Sequence, residues 1–199
     1  MDHSKAPKTK LSKSRRIAEA WSPPDNKDFS KKCKNKKVAL AALPLKKLPK
    51  ILYPKKNRDY NPPVFHFGYL FDIEWLLQFA EEHDLLAYLH EDIDDEPYLC
   101  EELTTEKVMA YITEKAGVTT FRLTYDLIAH SPGVPFGSTL MSIASNYRRY
   151  DFDEEEVRPS TDDILKLQKY LGRADLPKWY LDPSARCDGW GIRKSSFRV

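Results

Sequence analysis

The chain has 199 residues, 32 Lys/Arg against 30 Asp/Glu, a net charge of +2 and 41% hydrophobic residues, somewhat low for a fully globular chain. No stretch approaches the roughly 18 apolar residues that a membrane-spanning helix needs, and Val38–Leu43 is too short and too far inside the chain for a secretory signal. Cys33, Cys100 and Cys187 are odd in number and widely spaced, which excludes a disulfide framework and a metal-binding pair and points to a reducing intracellular setting, nucleus or cytoplasm.

The small net charge hides an asymmetry. Residues 1–60 hold 18 Lys/Arg and 5 Asp/Glu, a net +13, whereas residues 61–199 hold the other 14 and 25, a net −11. Residues 1–63 also contain eight of the fourteen prolines and little periodic hydrophobicity, so a disordered basic arm is expected there. Its densest clusters are Lys13, Arg15 and Arg16, then Lys31, Lys32, Lys34, Lys36 and Lys37; these are the candidate contacts for a targeting receptor or a polyanion, the alternatives being a solubilising spacer or association with the acidic domain. Val38–Leu52, punctuated by Pro44 and Pro49, is compatible with an extended stretch lying on the following domain and equally with one that stays off it. Tyr60-Asn-Pro-Pro63 reads as the hinge.

Val64–His90 is the densest apolar and aromatic block. Phe65, Phe67 and Tyr69 share one parity, which predicts a half-buried strand over Val64–Tyr69. Asp72 then supplies an N-cap, and Ile73, Leu76, Leu77 and Ala80 define the inner arc of an amphipathic helix. Continuing that helix past Glu82 would bury Asp84, so a break is expected, with Asp84 capping a second short helix over Leu85–His90.

An acidic loop over Glu91–Glu106 follows, then a helix capped by Thr104, built on Val108, Met109 and Ile112 and closed by Gly117. Thr119–Tyr125 alternates as a strand with Phe121, Leu123 and Tyr125 inward. Thr139–Ser145 is its expected antiparallel partner across a turn-rich connection. Tyr147–Glu156 is charged and expected to be exposed. Ser160 and Asp163 form a capping-box variant for a helix with Ile164, Leu167 and Leu171 inside, an Asp162–Lys166 pair outside and Gly172 at its end. Pro177–Leu181 is expected to dock aromatic rings on the domain edge, and Arg193–Val199 to fray.

The expected architecture is therefore α+β: a small two-layer domain over residues 64–182, with about three strands and three or four helices, preceded by the arm and followed by a tail over residues 183–199.

Motifs at Arg158-Pro-Ser-Thr161, Leu171-Gly172, Leu176-Pro-Lys-Trp-Tyr180, Gly68-Tyr-Leu70 and Glu74-Trp-Leu-Leu77 resemble small uncharacterised proteins of mushroom-forming fungi. The resemblance covers the globular part. It implies an intracellular fungal setting and brings no activity to any residue.

Specific chemistry finds little support. The acidic run at Asp92, Asp94 and Asp95 has Pro97 and Leu103 where a calcium loop needs Gly and Glu. His83 and His90 are seven apart rather than three or four, and Gly133–Thr139 lacks the lysine and the spacing of a phosphate loop. No GxSxG or GxGxxG is present, Ser131 beside His130 makes no triad, and Cys100 sits among carboxylates that disfavour a thiolate. These readings point to no cofactor and no membrane. The best-supported function is a non-enzymatic interaction module for an unknown protein partner, with the arm as its targeting or regulatory element. The alternatives are an enzyme of unfamiliar type, with a site near His66, Asp126 or His130, and nucleic-acid binding through the arm.

Overall fold

The computed structural model describes residues 11–24, 31–55, 60–90, 96–128, 130–136, 138–147, 159–183 and 189–192. In chain order these form α1 (Lys13–Ala20), α2 (Lys36–Ala41), a 3-10 turn (Lys50–Leu52), β1 (Tyr60–Asn61), β2 (Phe65–Asp72), α3 (Ile73–Glu82), β3 (Tyr88–Leu89) and β4 (Tyr98–Leu99). They continue with α4 (Glu101–Lys115), β5 (Thr124–Leu127), β6 (Ser138–Ser145), α5 (Thr161–Tyr170), β7 (Lys178–Leu181) and β8 (Gly191–Ile192). The chain is α+β, with eight strands and five α-helices among the described residues, more than the sequence patterns predict.

The central sheet is antiparallel, in the order β5-β6-β2-β7. Along β2 the aromatic parity holds: Phe65 and Tyr69 are buried, and Tyr69 and Phe71 join Met141, Ile143, Leu76, Ala80, Val108, Met109, Ile112 and Leu167 in the principal core. That core binds α3, α4 and α5 to one face of the sheet. Gly68 stands where the β2–β6 register shifts, and a Cβ there would lie 1.9 Å from the Met141 carbonyl oxygen. Only a residue without a side chain lets the two backbones approach so closely.

The helix ends follow their local chemistry. Asp72 caps α3 by accepting from Glu74 N–H, and Ser160 caps α5 by accepting from Asp163 N–H. At Gly117 and Gly172, with φ of +66° and +62°, paired backbone bonds close α4 and α5 in Schellman motifs. Asp84, at φ +56°, does the same for α3: Asp84 N–H donates to Glu81 and Leu85 N–H to Ala80.

Several expectations are corrected. Asp84 ends a helix instead of starting one, and Leu85–His90 is no helix; Tyr88–Leu89 pairs antiparallel with Tyr98–Leu99. The helix expected to start at Thr104 starts at Glu101, and the Thr104 Oγ1 is buried inside, accepting from Ala87 N–H at 3.0 Å. The strand expected at Thr119–Tyr125 begins only at Thr124, because Asp163 draws the N–H groups of Thr119 and Thr120 out of any ladder. Lys166 pairs with Asp163 at 2.8 Å rather than with Asp162. Pro177–Leu181 is no mere docking segment, since Lys178–Leu181 is an integral strand. The acidic residues 91–95, the stretch 148–158 and the expected fraying at 193–199 lie outside the described residues.

The largest difference concerns the described residues of the arm, 11–24 and 31–55; residues 1–10, 25–30 and 56–59 lie outside the described residues. Trp21, Ala39, Leu45, Leu48 and Leu52 are 0–4% exposed and build a second core with Phe65, Leu181 and Trp190. Trp21 meets the Phe65 ring edge-on, with centroids 5.2 Å apart. Leu45 exchanges backbone bonds with Trp179 at 2.9 and 2.8 Å, and β1 pairs with β8. The expected hinge is packed as well: Pro62 and Pro63 are buried, and the buried Asn146 side chain donates to the carbonyls of Leu52 and Pro63 while accepting from Phe65 N–H. The expected tail likewise returns to the fold, with Trp190 1% exposed. Sparse apolar residues here find their partners far away along the chain, at Phe65, Leu181 and Trp190.

Candidate functional site

On α1, Ile17, Ala20 and Trp21 recur at the i, i+3, i+4 spacing that turns one stripe inward. Lys13, Arg15 and Arg16 stay exposed around it. The second cluster is held against the end of this helix: Lys34 N–H donates to the Ser22 carbonyl at 3.1 Å and Asn35 N–H to the Ala20 carbonyl at 3.3 Å. Asn35 in turn caps α2. Cys33 is buried between Lys32 and Lys34, which remain exposed, as do Lys31 and Lys37; Lys36 is half-buried. The fold thus brings the two predicted basic clusters onto one packed helical unit.

Its charge is nearly pure. The described residues 11–24 and 31–55 carry twelve Lys/Arg and a single acid, Glu19. Most of their large apolar side chains pack into or against the second core, with Val38 and Tyr53 left exposed, so the charge these residues show to solvent is mostly cationic. The charges also sit against the local rule for helices. Lys13 and Arg15 occupy the first turn of α1 with no acidic residue there, and Lys36 and Lys37 begin α2 in the same way. The positive end of a helix dipole disfavours cations.

The opposite face of the sheet carries the other candidate. Tyr180 pairs with His66 across β2–β7, and the ladder continues with Asp182 N–H donating to Val64. This places the Asp182 carboxylate beside the His66 ring, while Asp126 approaches from β5. His66 Nδ1 lies 3.0 Å from Asp126 Oδ2, and Nε2 lies 3.2 Å from Asp182 Oδ2. Burial by itself pulls the imidazole pKa down, but the bonds and charges of Asp126 and then Asp182 outweigh it, and the pKa is raised above 6.5. When the ring is protonated, both nitrogens donate to carboxylates and it has no lone pair left to act as a general base. His130 does not join this group; it is exposed and its ring faces Phe136. The arrangement ties β5 to the end of β7.

A shallow pocket lies at the end of β2, lined by Tyr69, Phe71, Trp75, Leu171 and Arg173. Its guanidinium is engaged, donating to the Leu70 carbonyl at 3.2 Å and to Asp175 at 3.1 Å. Burial and then the Asp175 charge, against the opposing Arg173, push the Tyr69 hydroxyl up to about 12, so it stays neutral. Among the described residues, no group of three or more His, Cys, Asp or Glu is arranged to hold a metal ion. No helix there is long and apolar enough to cross a membrane.

No known protein family matches the chain, and neither a curated protein nor a solved structure does.

Proposed function

We propose that the protein is a non-enzymatic interaction module whose basic α1–α2 face engages a polyanionic partner, with phosphate as the anionic group. The observation that carries this reading is the charge of the described part of the arm: residues 11–24 and 31–55 hold twelve Lys/Arg against one acid, on a unit anchored by the buried Trp21, Ala39, Leu45, Leu48 and Leu52. Cations held at fixed positions on a folded unit meet a phosphate chain without the ordering cost a flexible tail incurs. Their position at helix N-termini, unfavourable in the free protein, becomes favourable when an anion arrives. Departures from local rules of this kind concentrate where function demands them.

Binding would release counterions, so affinity for a nucleic acid should fall linearly with the logarithm of salt concentration, by a slope of about 0.7–0.9 per phosphate neutralised. The test uses the full chain and a variant with Lys13, Arg15, Arg16 and Lys37 all changed to Gln, residues that are exposed in the fold. The variant should keep the far-UV spectrum of the parent and lose about two to three units of salt slope. An unchanged slope would remove the basic face as the contact.

A further inference from the structure

Tyr53 stands 39% exposed immediately after the turn Lys50–Leu52, on the same basic segment. Its ring meets Trp179 edge-on, with centroids 6.2 Å apart, and Trp179 lies in turn on Phe67 at 5.0 Å. Trp179 cannot shift easily, since β7 pairs with β2 on one side and Leu45 bonds its backbone on the other. The exposed ring therefore rests on a rigid aromatic base.

Lysines flank it along the chain. The Leu45–Trp179 bridge brings the exposed Lys46 and Lys47 to this edge, Lys50 opens the turn that leads into Tyr53, and the exposed Lys55 follows two residues later. No acidic residue occurs between Lys31 and Lys55. An aromatic face among cations is suited to a nucleobase joined to a phosphate chain. A duplex keeps its bases stacked inside and would use only the cations, whereas a single strand can also offer a π-face.

We propose that the polyanion is single-stranded nucleic acid and that one of its bases stacks on Tyr53 while Lys46, Lys47, Lys50 and Lys55 track the backbone. This rests on the polyanion reading above and narrows it to a substrate class. Stacking tolerates any base, so the preference is for strandedness and not for sequence.

The experiment measures binding of the full-length protein to a fluorescent twelve-nucleotide thymidine strand, a twelve-base-pair duplex, inorganic polyphosphate and an acidic peptide at one salt concentration. The parent should hold the single strand roughly 10-fold tighter than the duplex. Tyr53→Ala should lose roughly 10-fold for the single strand alone, with the salt slope unchanged, and Tyr53→Phe should restore it. Unchanged single-strand affinity in Tyr53→Ala would overturn the stacking role and leave the basic face standing. An equal loss for polyphosphate, or tighter binding of the acidic peptide, would also overturn it. Failure of every polyanion to bind would remove both readings together.

Discussion

His66 is a half-buried imidazole held between two carboxylates on different strands, and the consequence can be read in the pH dependence of stability. Its folded pKa lies above 6.5, so the folded state holds the proton more tightly than the unfolded chain does. The stabilisation is complete below about pH 6.5 and fades as pH rises through the folded value. Thermal scans from pH 6 to 9 should show a falling melting temperature. His66→Gln should cost about 2 kcal/mol at pH 6 and flatten the curve above it. A parallel slope in the variant would assign the pH dependence elsewhere. At Arg15 the effects on folding and binding should have opposite signs. Glu at this third helical position would complete a capping box with Ser12 and relieve the dipole conflict of α1, a gain of about 0.5 kcal/mol. The same Arg15→Glu change should weaken polyanion binding. A variant that is both more stable and a poorer binder separates a functional cation from a structural one.

β2 shows why one glycine can decide the sheet. Gly68→Ala would drive a methyl group into the Met141 backbone, 1.9 Å from its carbonyl oxygen, which flexible side chains cannot relieve. The expected cost is at least about 3 kcal/mol, measured by denaturant unfolding with the loss placed in β2–β6 by hydrogen exchange. The parity of Val64–Tyr69 was enough to recognise this strand but not its glycine, because the Met141 backbone is 73 residues away in sequence. The caps were readable for the opposite reason: Asp72, Ser160, Gly117 and Gly172 act within a few residues of themselves. Asp163 lies between these cases. Its amide bonds Ser160 Oγ as expected, but the reciprocal bond of a capping box is absent: Ser160 N–H donates to Thr120 Oγ1. The Asp163 carboxylate gathers Lys166 first and then the N–H groups of Thr119 and Thr120, which hold its pKa well below the ordinary range. No local pattern announces that contact. The eight basic candidates were legible as composition, and their assembly on α1 and α2 was not, because it depends on Trp21 finding Phe65.

For the whole molecule, the packing of the arm changes what a truncation would mean. A chain beginning at Pro62 would expose Phe65, Leu181 and Trp190, which the arm now covers, so its failure to bind could reflect misfolding. Asn146 allows a finer test. Its side chain accepts from Phe65 N–H at 2.7 Å and donates to Leu52 and Pro63 at 2.7 and 2.8 Å, so one buried amide joins β2, the 3-10 turn and the chain leading into the sheet. Replacing it with Ala strands one donor and two acceptors away from water. The expected loss is about 3 kcal/mol. Because the link is between arm and sheet, local opening should increase more there than in the α3–α4 core. Asn146→Ala should therefore become sensitive to trypsin at Lys46, Lys47 and Lys50 while exchange protection in α4 persists. If arm and α4 lose protection together, the two cores unfold as one cooperative unit. Protection retained in both would mean that Asn146 is not the clamp. Selective opening of the arm, accompanied by loss of polyanion binding, would instead tie the basic face to its docked conformation rather than to its charge alone.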